Sequence, residues 1–145
     1  MQRVTSAAVT IDGTVAGAIE RGLVVLLGVA VDDTDADVVQ MADKLAGLRI
    51  FADGTGAMNR SVSETGGAFL VISQFTLLGD TRKGRRPSFI SAARGDEANA
   101  RYEAVIARLR ASGLQVETGR FGADMAVALV NDGPVTILID TKKRF

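Results

Sequence analysis

The sequence predicts one α/β domain of 145 residues, in which a curved, mainly antiparallel sheet or open β-barrel carries two helices on its outside. Three observations lead there. Hairpin signals stand at both ends of the chain, two segments between them show helical spacing of apolar residues, and the runs separating those segments are apolar and rich in valine, isoleucine and leucine. With 47% of its residues apolar, the chain is long enough to bury one core, and no linker divides it.

Val4 to Ile11 and Thr14 to Ile19 flank Asp12-Gly13, where glycine supplies the positive φ of a tight turn. Leu23 to Val31 is almost wholly apolar, as a central strand covered on both faces requires. A helix is expected over 35–48: Asp32-Asp33-Thr34-Asp35 offers N-caps and negative charge for its dipole, and Val38, Met41, Ala42, Leu45 and Leu48 follow at helical spacing. Arg49 to Ala52 is a short strand, and Asp53-Gly54-Thr55-Gly56 a turn into Ala57 to Val62. Ala68 to Leu78 begins as a buried strand and turns polar at Ser73-Gln74. Asp96 is expected to cap a second helix with the buried stripe Ala98, Tyr102, Val105, Ile106 and Leu109, ended by Gly113. Leu114 to Glu117 is a further strand, and Met125 to Val130 and Val135 to Ile139 are expected to form a closing hairpin around Asn131-Asp132-Gly133-Pro134.

The 17 basic residues balance 17 acidic ones, so no global field draws nucleic acid, and any such binding relies on a local patch. Cysteine and histidine are both absent, which removes disulfides, thiolate or histidine metal sites, a cysteine nucleophile and a Ser-His-Asp triad. No metal or cofactor is expected. Asp33, Asp35 and Asp37 resemble the opening of a calcium loop, but Val38 stands where glycine is required and Lys44 where the closing glutamate belongs. Gly54 and Gly56 lack the strand-to-helix setting of a nucleotide fingerprint. Asn59-Arg60-Ser61 matches a glycosylation acceptor, yet the N-terminus has no apolar signal core and no run approaches the roughly 18 residues that span a bilayer. A cytoplasmic location without a membrane partner is expected.

Ser73, Gln74 and Thr76 are polar groups at the end of a core strand, where they need partners or a task. Capping the strand's own backbone would satisfy them. Thr76 carries a hydroxyl with no histidine to activate it, so a site of backbone N–H groups around a developing oxyanion, with the substrate helping in proton transfer, stays open. Arg82, Lys83, Arg85 and Arg86 place four cations within five residues, near the rings of Phe75 and Phe89. Phosphate pairing with base stacking is one reading of that loop, and a solvated charged surface is the other. At Gly133-Pro134 the backbone is rigid and poor in donors, which suits either an ordinary tight turn or a selectivity surface made of carbonyls.

Taken together, Ser73-Gln74-Phe75-Thr76-Leu77, the loop from Asp80 to Phe89, Gly119-Arg120-Phe121-Gly122-Ala123-Asp124-Met125 and the stretch from Asn131 to Thr136 resemble, in order and spacing, the motifs of the D-aminoacyl-tRNA deacylases. The resemblance covers nearly the whole chain. It implies a homodimeric proofreading hydrolase that cleaves the ester between a D-amino acid, or glycine mischarged on tRNA-Ala, and the terminal adenosine of tRNA. Its partners would be D-aminoacyl-tRNA and glycyl-tRNA, with no role for DNA. It further implies that Gly133 and Pro134, joined by a cis bond, enter the partner subunit's active site, where their carbonyls exclude L-amino acids. Ser73, Gln74 and Phe75 would take the adenosine and the ester, Phe121 and Met125 would line the pocket nearby, and Arg3 would fix the Gly-Pro motif. Thr76 matches a residue once proposed as nucleophile. A later view of the family gives activation to the 2′-hydroxyl of the terminal ribose, which suits a chain without histidine.

Two departures from the family pattern are visible. Family chains begin a few apolar residues before the Gln-Arg-Val, so a shortened first strand is expected, and Leu78-Gly79 replaces an aromatic and an alanine, which is expected to loosen the pocket rim. Two other readings fit parts of the pattern: a non-catalytic RNA-binding module using the basic loop, and a homodimeric metabolite binder in which the Gly-Pro turn is only structural.

Overall fold

The computed structural model describes residues 1–145. In chain order its elements are β1 (Gln2–Ile11), β2 (Thr14–Ile19), β3 (Gly22–Leu27), α1 (Asp35–Gly47), β4 (Phe51–Ala52), β5 (Met58–Arg60), β6 (Ala68–Ser73), α2 (Gly95–Ala111), β7 (Val116–Thr118) and β8 (Ala126–Thr136). No helix is long and apolar enough to cross a membrane.

The opening hairpin forms as expected, with Asp12 and Gly13 both at positive φ. One edge of β1 is shared between β3 at its start and β2 at its end, and the other edge pairs with β8 from Gln2 to Thr10, all antiparallel. β3, β6 and β7 run parallel, so the six-stranded sheet is mixed. β2 swings round to meet β7 and nearly closes the barrel. A Cβ on Gly17 would lie 2.6 Å from the Thr118 carbonyl oxygen, so the seam closes only because that position has no side chain.

Strand alternation explains why β3 and β6 are apolar throughout. Leu23, Val25, Leu27, Phe69 and Val71 face outward onto Leu45 of α1 and Tyr102, Val105, Ile106 and Leu109 of α2. Val24, Leu70 and Ile72 face the other way and fill the barrel with Val4, Val9 and Ile19. α1 is held at its start by Asp37, whose carboxylate accepts from the Thr34 N–H at 2.8 Å and from the Lys142 ammonium at 2.9 Å. Lys142 foremost, then the Thr34 amide, hold that carboxyl well below the usual range.

The structure differs from the expectation at four places. β3 stops at Leu27, and of the remaining residues only Ala30 keeps a bridge, to Ala92. α2 starts at Gly95 after Arg94 as N-cap, leaving Asp96 in the first turn, where its charge still meets the helix dipole. β6 ends at Ser73, and Phe75–Leu78 forms a 3₁₀ turn closed by the Leu77 N–H donating to the Gln74 carbonyl at 3.3 Å. The closing hairpin is absent. Val4 lies opposite Asn131 and Gln2 opposite Thr136, so both flanks pair with β1 and residues 132–135 loop out as a bulge in a single strand. Beyond it the pairing reaches the first residue, the Ile137 N–H donating to the Met1 carbonyl at 2.9 Å.

Candidate active site

The site grows from a mismatch in strand length. β7 ends at Thr118, opposite Val71, while β6 runs on to Ser73. The Phe69 N–H donates to Gln115 on the β7 side at 2.9 Å, and the Gln74 N–H donates to Leu27 on the β3 side at 2.8 Å. By alternation the N–H and C=O of Ser73 face the β7 side, past the point where β7 has stopped, and neither takes a partner from the chain. Past Thr118 the chain runs close against Met125 at Gly119, where a Cβ would meet the Met125 sulfur at 2.4 Å, and it turns at Phe121-Gly122, with Gly122 at φ +76°.

A cleft of about 680 Å³ opens on this vacant edge. Ser73, Gln74 and Phe75 line it together with Phe121 and Met125, and Tyr102 of α2 also reaches it. The Tyr102 hydroxyl donates to the Val71 carbonyl at 2.9 Å, and its ring lies 5.9 Å from that of Phe121. Burial, then the nearby Glu103 charge, push the phenol up to about 12, so it stays a donor across the neutral range. Phe75 is 53% exposed and meets Phe89 edge to face at 5.1 Å, leaving a ring surface at the cleft mouth. The Gly79 position is filled by that neighbour: a Cβ there would come within 2.9 Å of the Phe89 ring.

Asp80 and Ser88 exchange backbone hydrogen bonds of 2.8 and 2.9 Å and so close the basic loop beside the cleft mouth. Arg82 is committed to Asp80, its Nε 2.8 Å from the carboxylate, and that guanidinium holds the Asp80 carboxyl down at about 2. Lys83, Arg85 and Arg86 are exposed and make no ion pair.

The β8 bulge is a second, separate construction. The Arg3 Nε donates to the Asp132 carbonyl at 3.0 Å and lies 3.3 Å from its carboxylate, while Nη1 donates to the Ile50 carbonyl at 2.6 Å. The Asn131 side chain accepts from the Val135 N–H at 2.7 Å, clamping the loop from within. The Gly133-Pro134 bond is cis, and Gly133 has φ +142°, a conformation that disfavours any side chain. A Cβ there would also stand 2.6 Å from Val135 Cγ2 and 2.8 Å from its nitrogen. Both residues are exposed.

Of the residues singled out in the sequence, the fold gathers Ser73, Gln74, Phe75, Phe121 and Met125 around one cleft. Thr76 is exposed and outside the cleft wall, its hydroxyl accepting from the Gln74 amide. Gly133, Pro134 and Arg3 are elsewhere: about 17 Å of strand separates Ala126, next to Met125, from Asn131 at the base of the bulge. Arg94, Ala98, Tyr102 and Asp124 also line the cleft and were not anticipated there. One signal was available, since a phenol in an otherwise aliphatic helical stripe needs a hydrogen-bond partner.

Residues 1–140 match the family described as D-Tyr-tRNA(Tyr) deacylase. The D-aminoacyl-tRNA deacylase of Anaeromyxobacter dehalogenans is 62% identical over 145 residues, covering 100% of this chain and 97% of that protein. That of Desulfitobacterium hafniense is 57% identical with the same coverage. Among solved structures, the c-Myc DNA Unwinding Element Binding Protein aligns with a TM-score of 0.90 at 39% identity, over 97% of this chain and 95% of its own. A chain described as a probable eukaryotic D-amino acid tRNA deacylase shares the fold, with a TM-score of 0.78 at 18% identity over 92% of each chain. The class these matches define is a hydrolase acting on the ester bond of aminoacyl-tRNA. Within that class, the chain belongs to the D-aminoacyl-tRNA deacylase family, whose activity serves translation quality control.

Proposed function

We propose that the protein hydrolyses D-aminoacyl-tRNA, and glycyl-tRNA mischarged on tRNA-Ala, with the chain supplying backbone hydrogen bonds and the substrate supplying proton transfer. The observation that carries this reading is the unpaired Ser73 backbone facing the cleft. A donor fixed in a sheet needs no reorganisation as charge develops on the ester oxygen, and one such donor is worth roughly 2.7–4 kcal/mol. Water adds to the carbonyl carbon. The neighbouring 2′-hydroxyl takes its proton and returns one to the 3′-oxygen as the ester C–O bond breaks, releasing the D-amino acid and tRNA. Ser73, Gln74 and Phe75 hold the adenosine and ester, Phe121 and Met125 close the opposite side, and Thr76 steadies Gln74 instead of attacking. Lys83, Arg85 and Arg86, with Arg82 shaping their loop, meet tRNA phosphates.

Chirality belongs to the bulge. Because Gly133 and Pro134 are remote from their own cleft, they act on the cleft of a second copy, in a homodimer that places each bulge against its partner's site. Their carbonyls fill the space an L side chain requires, while a D side chain points outward and glycine needs no room. The enzyme works in the cytoplasm.

The deciding experiment follows amino-acid release from matched D- and L-aminoacyl-tRNA, against spontaneous hydrolysis without enzyme. Rapid loss of the D-ester alone is expected. Loss of neither ester, with tRNA still bound, would leave an RNA-binding module in its place. A D-ester on a terminal 2′-deoxyadenosine should survive, and its hydrolysis at the normal rate would sink the substrate-assisted step.

A further inference from the structure

Val71 occupies an unusual place in the sheet. Its carbonyl faces the β7 side, like the backbone of Ser73 two residues on, and the next strand position on that side would be Gly119. Gly119 gives it no hydrogen bond. The acceptor is taken instead by the Tyr102 hydroxyl at 2.9 Å. Tyr102 is 2% exposed and fixed in the α2 stripe between Ala98 and Val105. Its ring also packs on that of Phe121, which lines the same cleft. A single side chain therefore ties the last unit of β6 paired on its β7 side to the loop that carries Phe121.

We propose that Tyr102 is a positioning residue for deacylation: its hydroxyl replaces the missing strand partner of Val71 and so sets the direction in which the free Ser73 N–H points into the cleft. This rests on the reading of that N–H as the oxyanion donor. Tyr102 touches no reacting atom. Its action is geometric, and a displacement of the order of 1 Å at a reacting group costs up to about a hundredfold in rate.

Tyr102→Phe keeps the ring and its contact with Phe121 and removes only the hydroxyl. With D-aminoacyl-tRNA, at a temperature well below the melting point of either protein, kcat is expected to fall roughly tenfold while KM stays within about twofold. Ile106→Val is the control. It thins the same helical stripe one turn away, has no hydroxyl to bond the Val71 carbonyl, does not line the cleft, and is expected to lower Tm while leaving kcat unchanged. A second readout needs no turnover: the Ser73 amide resonance should shift in Tyr102→Phe and not in Ile106→Val. Unchanged kcat in Tyr102→Phe, or a loss no greater than that of Ile106→Val, would overturn the positioning role. A wild-type protein that leaves D-aminoacyl-tRNA intact would overturn the proposed function and the catalytic part of this inference with it, whereas an unmoved Ser73 amide would overturn the inference alone.

Discussion

The end of β6 and the bulge of β8 both present backbone atoms to the outside, but they are held there by opposite means. Ser73 ends a strand whose preceding residues, Ala68 to Ile72, are all buried between the helices and the barrel interior. Its direction is inherited from the hydrophobic core, with one hydroxyl as a trim. Gly133 and Pro134 have no core beneath them. Their shape is written by polar ties, namely Arg3 to Asp132 and Ile50, and Asn131 to Val135. A site built on core packing tolerates surface change and fails with stability, whereas a loop held by hydrogen bonds loses function one tie at a time while the fold survives.

Gly133→Ala is the strongest way to break that contrast. The added methyl meets Val135 and the positive φ becomes unfavourable, at a local cost of about 1–3 kcal/mol, so the bulge rebuilds. The expected result is a loss of about a hundredfold in kcat/KM for the D-ester with a folded protein, measured by deacylation and circular dichroism together. Full activity would mean that the bulge takes no part in the site.

Arg3→Met comes next. Its side chain is 13% exposed, and removing the guanidinium leaves two carbonyls short of a donor. Discrimination between D- and L-esters is expected to fall about tenfold through a looser bulge, with about 1.5–3 kcal/mol of stability lost. A chiral ratio that stays constant while stability drops would assign Arg3 to the fold alone.

The smallest effect is expected from Thr76→Ala. An exposed hydroxyl that only accepts from Gln74 should change kcat by no more than about twofold. Abolished turnover with an intact fold and normal tRNA binding would restore Thr76 as a nucleophile.

The difference between the two regions also governs what the sequence made legible. Core-held parts were visible: the alternation in β3 and β6 and the stripe of α2 announce burial directly, because the apolar period is what packing requires. The end of β6 was hidden by Phe75 and Leu77, two apolar residues that extend the strand pattern yet are both 53% exposed. The bulge is hidden from the sequence for a related reason. Asn131-Asp132-Gly133-Pro134 has every residue preference of a turn, but turn chemistry specifies a change of direction and says nothing about whether the returning segment pairs with its predecessor or with a third strand. Only β1, more than a hundred residues away in sequence, decides that. The gathering of Ser73, Phe121 and Met125 around one cleft came from the motif resemblance, since their side-by-side placement depends on β7 stopping at Thr118, for which no local signal exists.

The pairing of β1 with β8 sets a temporal order as well. β1 cannot complete its second edge until β8, more than a hundred residues further along the chain, has been made, and loop closure over such a separation is slow. Until then β1 offers an open strand edge that other chains can capture. The Arg3–Asp132 tie forms only once β8 is in place, so a chain synthesised no further than β7 can own a finished Ser73 strand while still lacking the device assigned to chiral selection.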